Sequence, residues 1–559
     1  MKVLLISIDS KFIHSNLAVH SLKAYAEKKL RESGAFCDIA IAEYTINQQP
    51  AKVLADIYKR DADVIMFSCY IWNKTFMSKL LDDLAIVKPD IDIWLGGPEV
   101  SFDGNDVLEE FKNLRGIMSG EGEESFAQLI MTYTSGVAGI ISQSEPLDMD
   151  ELPFAYGDLS GFENRVIYYE SSRGCPYRCS YCLSSVDKKL RFRSLGIVKE
   201  ELKFFLDKRV PQVKFVDRTF NCDHRRTMEI WQFLKDNDNG ITNFHFEMAA
   251  DILNEDEIKL LADLRPGQVQ LEIGVQTTNC DTLEAIERPM DFEKLCENVA
   301  AIKEAGNVHL HLDLIAGLPY EDIKSFEKSF NDVFGLRPEQ LQLGFLKVLK
   351  GSPMASRCEE YGLKYTAQPP YEVLETKWIS YEELLELKRI EEMVEVYYNT
   401  GQFAGSLEVL LGAFDSAFEM FGALGEFYEA RGLEMMNLGR NSRYEMLLEF
   451  GREVMSEADL TEALILDYYS RENAKTRPAF LGEETVSKEF AKEFYSIEAR
   501  EHKYLTSREL IDCDDPRTLR KHTHLEKTED GYLLFDYTRR DPLTNNALTV
   551  EVVWLADCD

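Results

Sequence analysis

The chain has 559 residues, 45% of them hydrophobic, and a formal net charge of −35 at pH 7. That length suggests about three or four domains, and the negative charge argues against a long phosphate-tracking groove for nucleic acid. Eleven cysteines, odd in number and mostly scattered, exclude a secreted disulfide framework.

The N-terminal apolar run stops at Asp9, too soon for a secretory segment. No stretch approaches the roughly 18 apolar residues of a membrane span. A cytoplasmic chain is expected.

The first third alternates strand-like runs, "KVLLISI", "CDIAIAEYT", "ADVIMFSCY", "IDIWLGGPE" and "RGIMSGEGE", with helical periods such as "NLAVHSLKAYAEKKL" and "NKTFMSKLLDDLAIV". The alternation predicts a doubly wound, Rossmann-like parallel sheet of about five strands over residues 1–141. Ligands of such sheets sit beyond the carboxyl ends of the strands. Ser68, "GGPE" (Gly96, Gly97, Pro98, Glu99) and "SGEGEES", with Gly120 and Glu121, fall there. Residues 142–165, rich in Pro, Gly and acids, read as a linker.

A second βα series follows. Its strands are "RVIYYES", "QVKFVDRTF", "NFHFEMAAD", "VQLEIGVQT", "HLHLDLIAG" and "QLQLGFLKVLKG", separated by helical periods. Six such units over residues 166–360 predict a partial (β/α)6 barrel, short of the eight of a full TIM barrel. Residues 361–559 read as mostly helical and end in two strands around a Pro and Asn turn, a β-hairpin. The local basic runs, among them "KKLRFR" and "LRKHTH", read as solvated faces.

The segment "SSRGCPYRCSYCLSS" carries Cys175, Cys179 and Cys182 on the loop after the first barrel strand, on the catalytic face of such a barrel. Three thiolates on a short loop suit a soft metal. Structural zinc takes four ligands, and Cys222 or His224 can supply the fourth. A [4Fe–4S] cluster on three cysteines instead leaves one iron without a protein ligand. Position at a barrel mouth favours the cluster. Cys222 and Cys280 otherwise read as inert thiols.

Cys175-x3-Cys179-x2-Cys182, with Tyr181 just before the last cysteine, resembles the signature of the radical S-adenosylmethionine enzymes. The resemblance implies that S-adenosylmethionine chelates the open iron and is cleaved to a 5′-deoxyadenosyl radical. It also implies a one-electron donor such as a flavodoxin or ferredoxin. "FVDRTFN", "LEIGVQT", "IERP" and "DLIAGLP" look like segments that ring the cofactor in this superfamily. By that similarity Tyr181 contacts S-adenosylmethionine, Asp217 lies near its methionyl amine, Glu272 and Gln276 near the ribose or substrate, and Gly317 near the adenine. Arg288 then contacts a carboxylate or phosphate. The plainer alternative is that Glu272 and Asp313 pair with core basic groups and Arg288 pairs on the surface.

"LGGPEVS" and "SGEGEESFAQLI" ahead of this barrel resemble the cobalamin-binding subclass. Ser68, Gly96, Gly97, Pro98, Glu99, Gly120 and Glu121 are then cobalamin contacts, and a leucine at Gly97 is expected to fill the cofactor's space. No Asp-x-His-x-x-Gly pattern offers a histidine to cobalt. His14 is the histidine near the mouth of the first strand. A domain that binds nothing, or only substrate, is the alternative. "PPYEVLETKWISYEEL" and "YYNTGQF" resemble a C-terminal region of one branch of the subclass. In it Tyr371 and Glu372 either cap the barrel or pack.

The reading is a radical S-adenosylmethionine enzyme with a [4Fe–4S] cluster and cobalamin that methylates an unactivated carbon. Rearrangement or cyclisation without methyl transfer is the runner-up, and a zinc-stabilised binding protein the non-enzymatic alternative. Given the acidic charge, a small metabolite is favoured as substrate over lipid, peptide or RNA.

Overall fold

The computed structural model describes residues 1–133, 138–142, 145–187, 189–434, 436–528 and 531–553. Residues 143–144 of the expected linker, Lys188 of the basic run, and Trp554 and Leu555 of the last strand-like run lie outside them. Contacts divide the chain into two units. The first is Met1–Val308 with Gly317–Asp322 and Phe345–Ser380, and the second is His309–Ala316, Ile323–Gly344 and Tyr381–Asp559.

The first unit opens with six parallel strands: β1 (Lys2–Asp9), β2 (Asp38–Thr45), β3 (Val64–Ser68), β4 (Asp92–Gly96), β5 (Leu114–Ser119) and β6 (Gly139–Ser142). Their order is β2-β1-β3-β4-β5-β6, one strand more than expected. The helices between them are α1 (Leu17–Ser33), α2 (Pro50–Lys59), α3 (Lys74–Val87), α4 (Gly104–Glu110) and α5 (Glu123–Met131).

β1 is buried from Val3 onward, as a parallel strand covered on both faces must be. Leu4, Ile6 and Ile8 pack with Leu80, Leu81 and Leu84. Val3 and Leu5 pack with Tyr25, Leu30 and Phe126. Each such side chain stabilises the fold by roughly 1.5–3 kcal/mol. Asn16 caps α1 through its side chain and Gly34 ends it in a left-handed turn. The chain crosses from β1 to β2 on one side and then returns to β3 on the other. That reversal opens a crevice at the strands' carboxyl ends.

The barrel series begins with β7 (Ile167–Tyr169). A short antiparallel pair, β8 (Ser172–Arg173) and β9 (Arg191–Phe192), brackets the cysteine loop. β10 (Gln212–Phe215), β11 (Asn243–Met248) and β12 (Val269–Gln276) follow, and β7-β10-β11-β12 are parallel neighbours in that order. Helices α6 (Leu195–Asp207), α7 (His224–Asp236), α8 (Glu255–Ala262), α9 (Cys280–Ala285) and α10 (Phe292–Ala305) lie between and after them. β12 alternates buried Val269, Leu271, Ile273 and Val275 with half-buried Gln270, Glu272, Gly274 and Gln276. One face of the strand is therefore apolar and the other polar.

β13 (His309–Ala316), α11 (Ile323–Phe334) and most of β14 (Gln340–Phe345) continue the βα alternation but group by contact with the second unit. A segment of the first unit follows, holding α12 (Pro353–Ser356), α13 (Cys358–Tyr361), β15 (Lys364–Tyr365) and β16 (Val373–Glu375). The rest of the second unit contains α14 (Tyr381–Met393), α15 (Ala404–Leu411), α16 (Ala417–Ala430), α17 (Arg440–Val454), α18 (Glu457–Arg471), α19 (Lys488–Glu501) and α20 (Pro516–His522). The expected C-terminal hairpin, β18 (Gly531–Arg540) with β19 (Ala547–Val552), pairs with a third strand, β17 (Thr523–Thr528). "THLEKT" escapes a sequence reading because only Leu525 in it is strongly apolar.

Candidate active site

The cysteine loop leaves the carboxyl end of β7. At its root the buried carboxylate of Asp217 accepts from the Ser171 N–H (2.8 Å), the Ser171 hydroxyl (2.7 Å) and the Ser172 hydroxyl (2.6 Å). Burial pushes this carboxyl up, against those hydrogen bonds. Asp217 was expected at the methionyl amine. Its carboxylate is engaged by the turn into the loop, and β10 ends at Phe215, earlier than the apolar run suggests.

Further along, the Ser180 N–H donates to the Ile286 carbonyl (2.9 Å), and the Ser180 carbonyl accepts from the Met354 N–H (2.8 Å). The loop is thus held from three sides. Cys179 is buried, and Cys175 and Cys182 are half-buried. Burial pushes the Cys175 thiol up, as do nearby Cys179 and Cys182, while Thr219 at 3.5 Å acts the other way.

Among the described residues, no three His, Cys, Asp or Glu side chains converge as the ligands of one ion do. Ligands of a four-iron cluster are spread around a cube and need not converge. Cys222 lies near Cys175, but burial and then Asp217 push its thiol up to about 11. The Nδ1 of His224 lies 3.0 Å from both carboxylate oxygens of Glu257. His224 is thus engaged by Glu257 rather than by the cysteine loop.

Arg288 reaches the loop from beyond α9. Its Nη1 donates to the Cys179 sulfur (3.5 Å) and its Nη2 to the Gly274 carbonyl. Its Nε is buried without a hydrogen-bond partner. Burial works against the guanidinium's charge, but Tyr181 and Cys179 outweigh it and hold its pKa above the usual value. Burial, with Cys179 and Cys182, pushes the Tyr181 phenol up. Gly274 leaves room here: a Cβ on it would lie 2.2 Å from the Gln276 Nε2 and 3.5 Å from the Arg288 Nη2. Cys179, Tyr181, Gln276 and Arg288 therefore form one group. An orphaned donor beside thiolates fits an anionic cluster.

Glu272 lies on the same face of β12 as Gly274 and Gln276. It accepts from Lys214 Nζ (2.8 Å) and lies 2.8 Å from His245 Nε2. Burial would raise its pKa, but His245 and Lys214 hold it well below the carboxylate range. This is the core pairing anticipated as its alternative. Asp313 lies 3.1 Å from His311 within the second unit. Gly317 was expected near an adenine. Its φ is +82°, and a Cβ on it would lie 2.6 Å from Val373 Cγ1. What it permits is close packing of β16.

At the crevice a cavity of about 350 Å³ is lined by Ser68, Gly96, Gly97, Pro98 and Gly120, with apolar walls from Leu5, Val19 and Met66. A larger one of about 700 Å³ shares Tyr70, Pro98, Gly120 and Glu123 with it. That chamber also takes in Tyr168 on β7 and Glu170 and Arg173 at the foot of the cysteine loop. The crevice and the barrel mouth thus open onto one space. Gly120 has a φ of +81°, and a Cβ there would meet nothing within 4 Å, so bare backbone faces the chamber.

Gly97 differs. Its φ is +112° and a Cβ would come to 2.5 Å of the Cys69 carbonyl oxygen. A leucine there would break the turn before it filled any cofactor space. The two glutamates expected as cobalamin contacts are engaged by other side chains. Glu99 is buried and held by the Tyr371 hydroxyl and by Lys74 Nζ at 3.5 Å. Glu121 lines the chamber but pairs with Arg191 and with Arg173 at 3.1 Å. Tyr371 therefore anchors its segment to the first sheet's α3 and β4 loop rather than capping the barrel. The Glu372 N–H donates to the Thr366 hydroxyl (3.0 Å), a local contact.

Several chamber residues escaped the sequence reading: Asp9, Tyr70, Trp72, Tyr168, Glu170, Arg173 and Arg218. Each lies at the carboxyl end of a strand or within four residues after it, and that was the signal available. His14 Nδ1 lies 2.7 Å from the Tyr168 hydroxyl. Burial and then Lys11, Lys214 and Arg165 hold its pKa low.

Three family models match the chain: the B12 binding domain over residues 3–130, the radical SAM superfamily over 169–333, and a protein of unknown function family, DUF4080, over 359–543. The chain is 25% identical to the cobalamin-dependent radical SAM methyltransferase TokK of Streptomyces tokunonensis, over 63% of this chain and 56% of that protein. It is 24% identical to the 2-(S-pantetheinyl)-carbapenam-3-carboxylate methyltransferase of Streptantibioticus cattleyicolor, over 54% of this chain and 50% of that one. It thus spans about half the length of these curated relatives. Among solved structures, the cobalamin-dependent S-adenosylmethionine radical enzyme OxsB with aqua-cobalamin and S-adenosylmethionine bound superposes with a TM-score of 0.56 at 14% identity, covering 84% of this chain and 83% of that one. The radical S-adenosylmethionine methyltransferase TsrM of Kitasatospora setae gives 0.51 at 16%, covering 66% and 77%.

Proposed function

We propose that this chain, a member of the radical S-adenosylmethionine superfamily with a B12-binding domain ahead of its barrel, is a cobalamin-dependent methyltransferase acting on an unactivated carbon. The observation that carries the reading is the shared chamber. Gly120 and Pro98 of the crevice, and Glu170 and Arg173 below the cysteine loop, line the same cavity. Two cofactors held on those two sides face one substrate space.

When bound, the cluster with S-adenosylmethionine supplies a radical able to take hydrogen from carbon, and cobalamin supplies the methyl group. The chain's part is to bind, orient and exclude water. Cys175, Cys179 and Cys182 hold the cluster. Arg288 balances its charge through the bond to Cys179 and keeps an Nε free for a further acceptor. Tyr181 and Gln276 stand beside Arg288 and bound the S-adenosylmethionine side. The apolar recess between Leu5, Val19 and Met66 suits the planar tail of a corrin nucleotide. The bare backbone at Gly120, where a Cβ would meet nothing within 4 Å, would let a macrocycle lie close to the sheet. No histidine of this chain would be offered to cobalt, since the sequence carries no Asp-x-His-x-x-Gly pattern and His14 Nδ1 lies against the Tyr168 hydroxyl. A small metabolite is the favoured substrate class, given the net charge of −35, and a flavodoxin- or ferredoxin-type donor supplies electrons in the cytoplasm.

The test is product analysis. Reduced, reconstituted protein is incubated with S-adenosylmethionine and a metabolite extract. 5′-Deoxyadenosine together with S-adenosylhomocysteine is expected. Deoxyadenosine alone points to rearrangement or cyclisation, and neither product overturns the radical reading.

A further inference from the structure

The second unit holds a cavity of about 440 Å³, separate from the chamber and the cysteine loop. It lies between the turn before β14, the start of α15 and the β18–β19 turn. Phe334 and Leu407 give it apolar walls, and Arg471 and Asn546 line its polar end.

Arg471 Nε donates to the Asn546 side-chain oxygen, and Nη2 donates to the Thr400 carbonyl at 3.0 Å. Both acceptors are neutral. Nη1 finds no acceptor among the described residues. Arg540 stands behind it, donating to the Asn545 carbonyl (2.9 Å) and the Arg471 carbonyl (3.2 Å), again neutral oxygens. Burial, with Arg540 and Arg440 pressing the same way against Tyr444 and Asp467, lowers the pKa of Arg471. In a chain with 98 acidic and 63 basic residues, Arg471 is half-buried at the cavity wall with only neutral oxygens hydrogen-bonded to it, and Arg540 beside it is exposed; a guanidinium so placed is open to a charge-assisted pair with an anion. The other lining arginine, Arg337, is already paired with Glu408 at 2.9 Å.

The backbone around the cavity is also set in advance. Arg337, Gly401 and Asn545 each have a left-handed φ, of 52°, 60° and 59°. Such conformations persist where the surrounding structure fixes them, and they gather at ligand sites. The Asp541 carboxylate accepts from the Leu543 and Thr544 N–H groups at 3.0 and 2.7 Å. The turn that presents Asn546 to Arg471 is therefore rigid.

We infer that this cavity is a binding site for a small molecule with an anionic head, a carboxylate or a phosphate, held by Arg471 with its apolar body against Phe334 and Leu407. The site lies within the second unit and does not depend on the chemistry proposed for the first.

Inorganic pyrophosphate is the probe, with the full-length protein at constant ionic strength. It should raise the melting temperature by about 3 °C at roughly ten times its dissociation constant. Arg471→Gln should abolish the shift, and Arg218→Gln, in the first unit, should leave it. Asn546→Asp places a carboxylate on Arg471 without changing the side chain's shape. It should raise the melting temperature of the protein alone and remove the response to pyrophosphate. No shift in the unaltered protein, or a shift that survives in Asn546→Asp, overturns the inference.

Discussion

Asp9 ends β1 at the wall of the chamber, buried, with Arg165 Nη2 3.7 Å away. Burial and then Glu43 push its carboxyl up to about 7, against Arg165 and Ser7. An unfolded aspartate titrates near 3.9. Between those values the folded chain holds a proton that the unfolded chain has released, so stability falls as pH rises through the window and levels off above it. Asp9→Asn removes the penalty. Its advantage over the parent should grow by about 1–2 kcal/mol between pH 5 and pH 8, discounted for the nearby charges. Urea unfolding at the two pH values measures it, and an equal offset at both contradicts the assignment. None of this was legible in "LLISIDS", where Asp9 only marks the end of an apolar run. Cys175, Cys179 and Cys182 stand out as candidate cluster ligands because three thiols within eight residues have few other uses. Asp217, Glu272 and Glu99 were not, because each is a carboxylate whose role depends on which donors the fold brings to it.

Among the elements, one link is made of charge. Arg173 on β8 meets Glu123 at the start of α5 (2.8 Å), Glu170 after β7 (2.7 Å) and Glu121 (3.1 Å). Burial works against the guanidinium's charge, but Glu123 and Glu170 hold its pKa well above the usual value. This network ties the root of the cysteine loop to the crevice, and it explains why "SGEGEES" carries so many acids. Removing the guanidinium strands carboxylates in a buried site. Arg173→Gln should therefore destabilise the protein by about 3–5 kcal/mol. Arg173→Lys should recover only part of that, because a point charge cannot satisfy several carboxylates as a planar fork does. Thermal unfolding of both variants tests the point, and a lysine as stable as the arginine contradicts it. The sequence predicted the strands that bear this network, since continuous apolar runs and helical periods are local signals. It predicted β10 too long and missed β17, because in both places a tertiary contact, Asp217 with Ser171 in one and the β17–β18 pairing in the other, outweighs local pattern.

For the molecule as a whole, the order of a doubly wound sheet, a linker and a βα series with cysteines after its first strand was readable from periodicity and one motif. The division of contacts was not: β13, α11 and most of β14 group with the C-terminal helices, while Phe345–Ser380 group with the first unit. No local pattern encodes which neighbour a strand prefers. The central claim is that one chamber serves a cluster on Cys175, Cys179 and Cys182 and a corrin in the crevice. It is tested most directly by reconstituting the protein with iron, sulfide and cobalamin, reducing it, and supplying S-adenosylmethionine labelled in its methyl group. The account predicts retained cobalamin, an intact cluster, and formation of S-adenosylhomocysteine with the label carried to the protein-bound corrin. Protein that keeps its cluster but retains no cobalamin would contradict it.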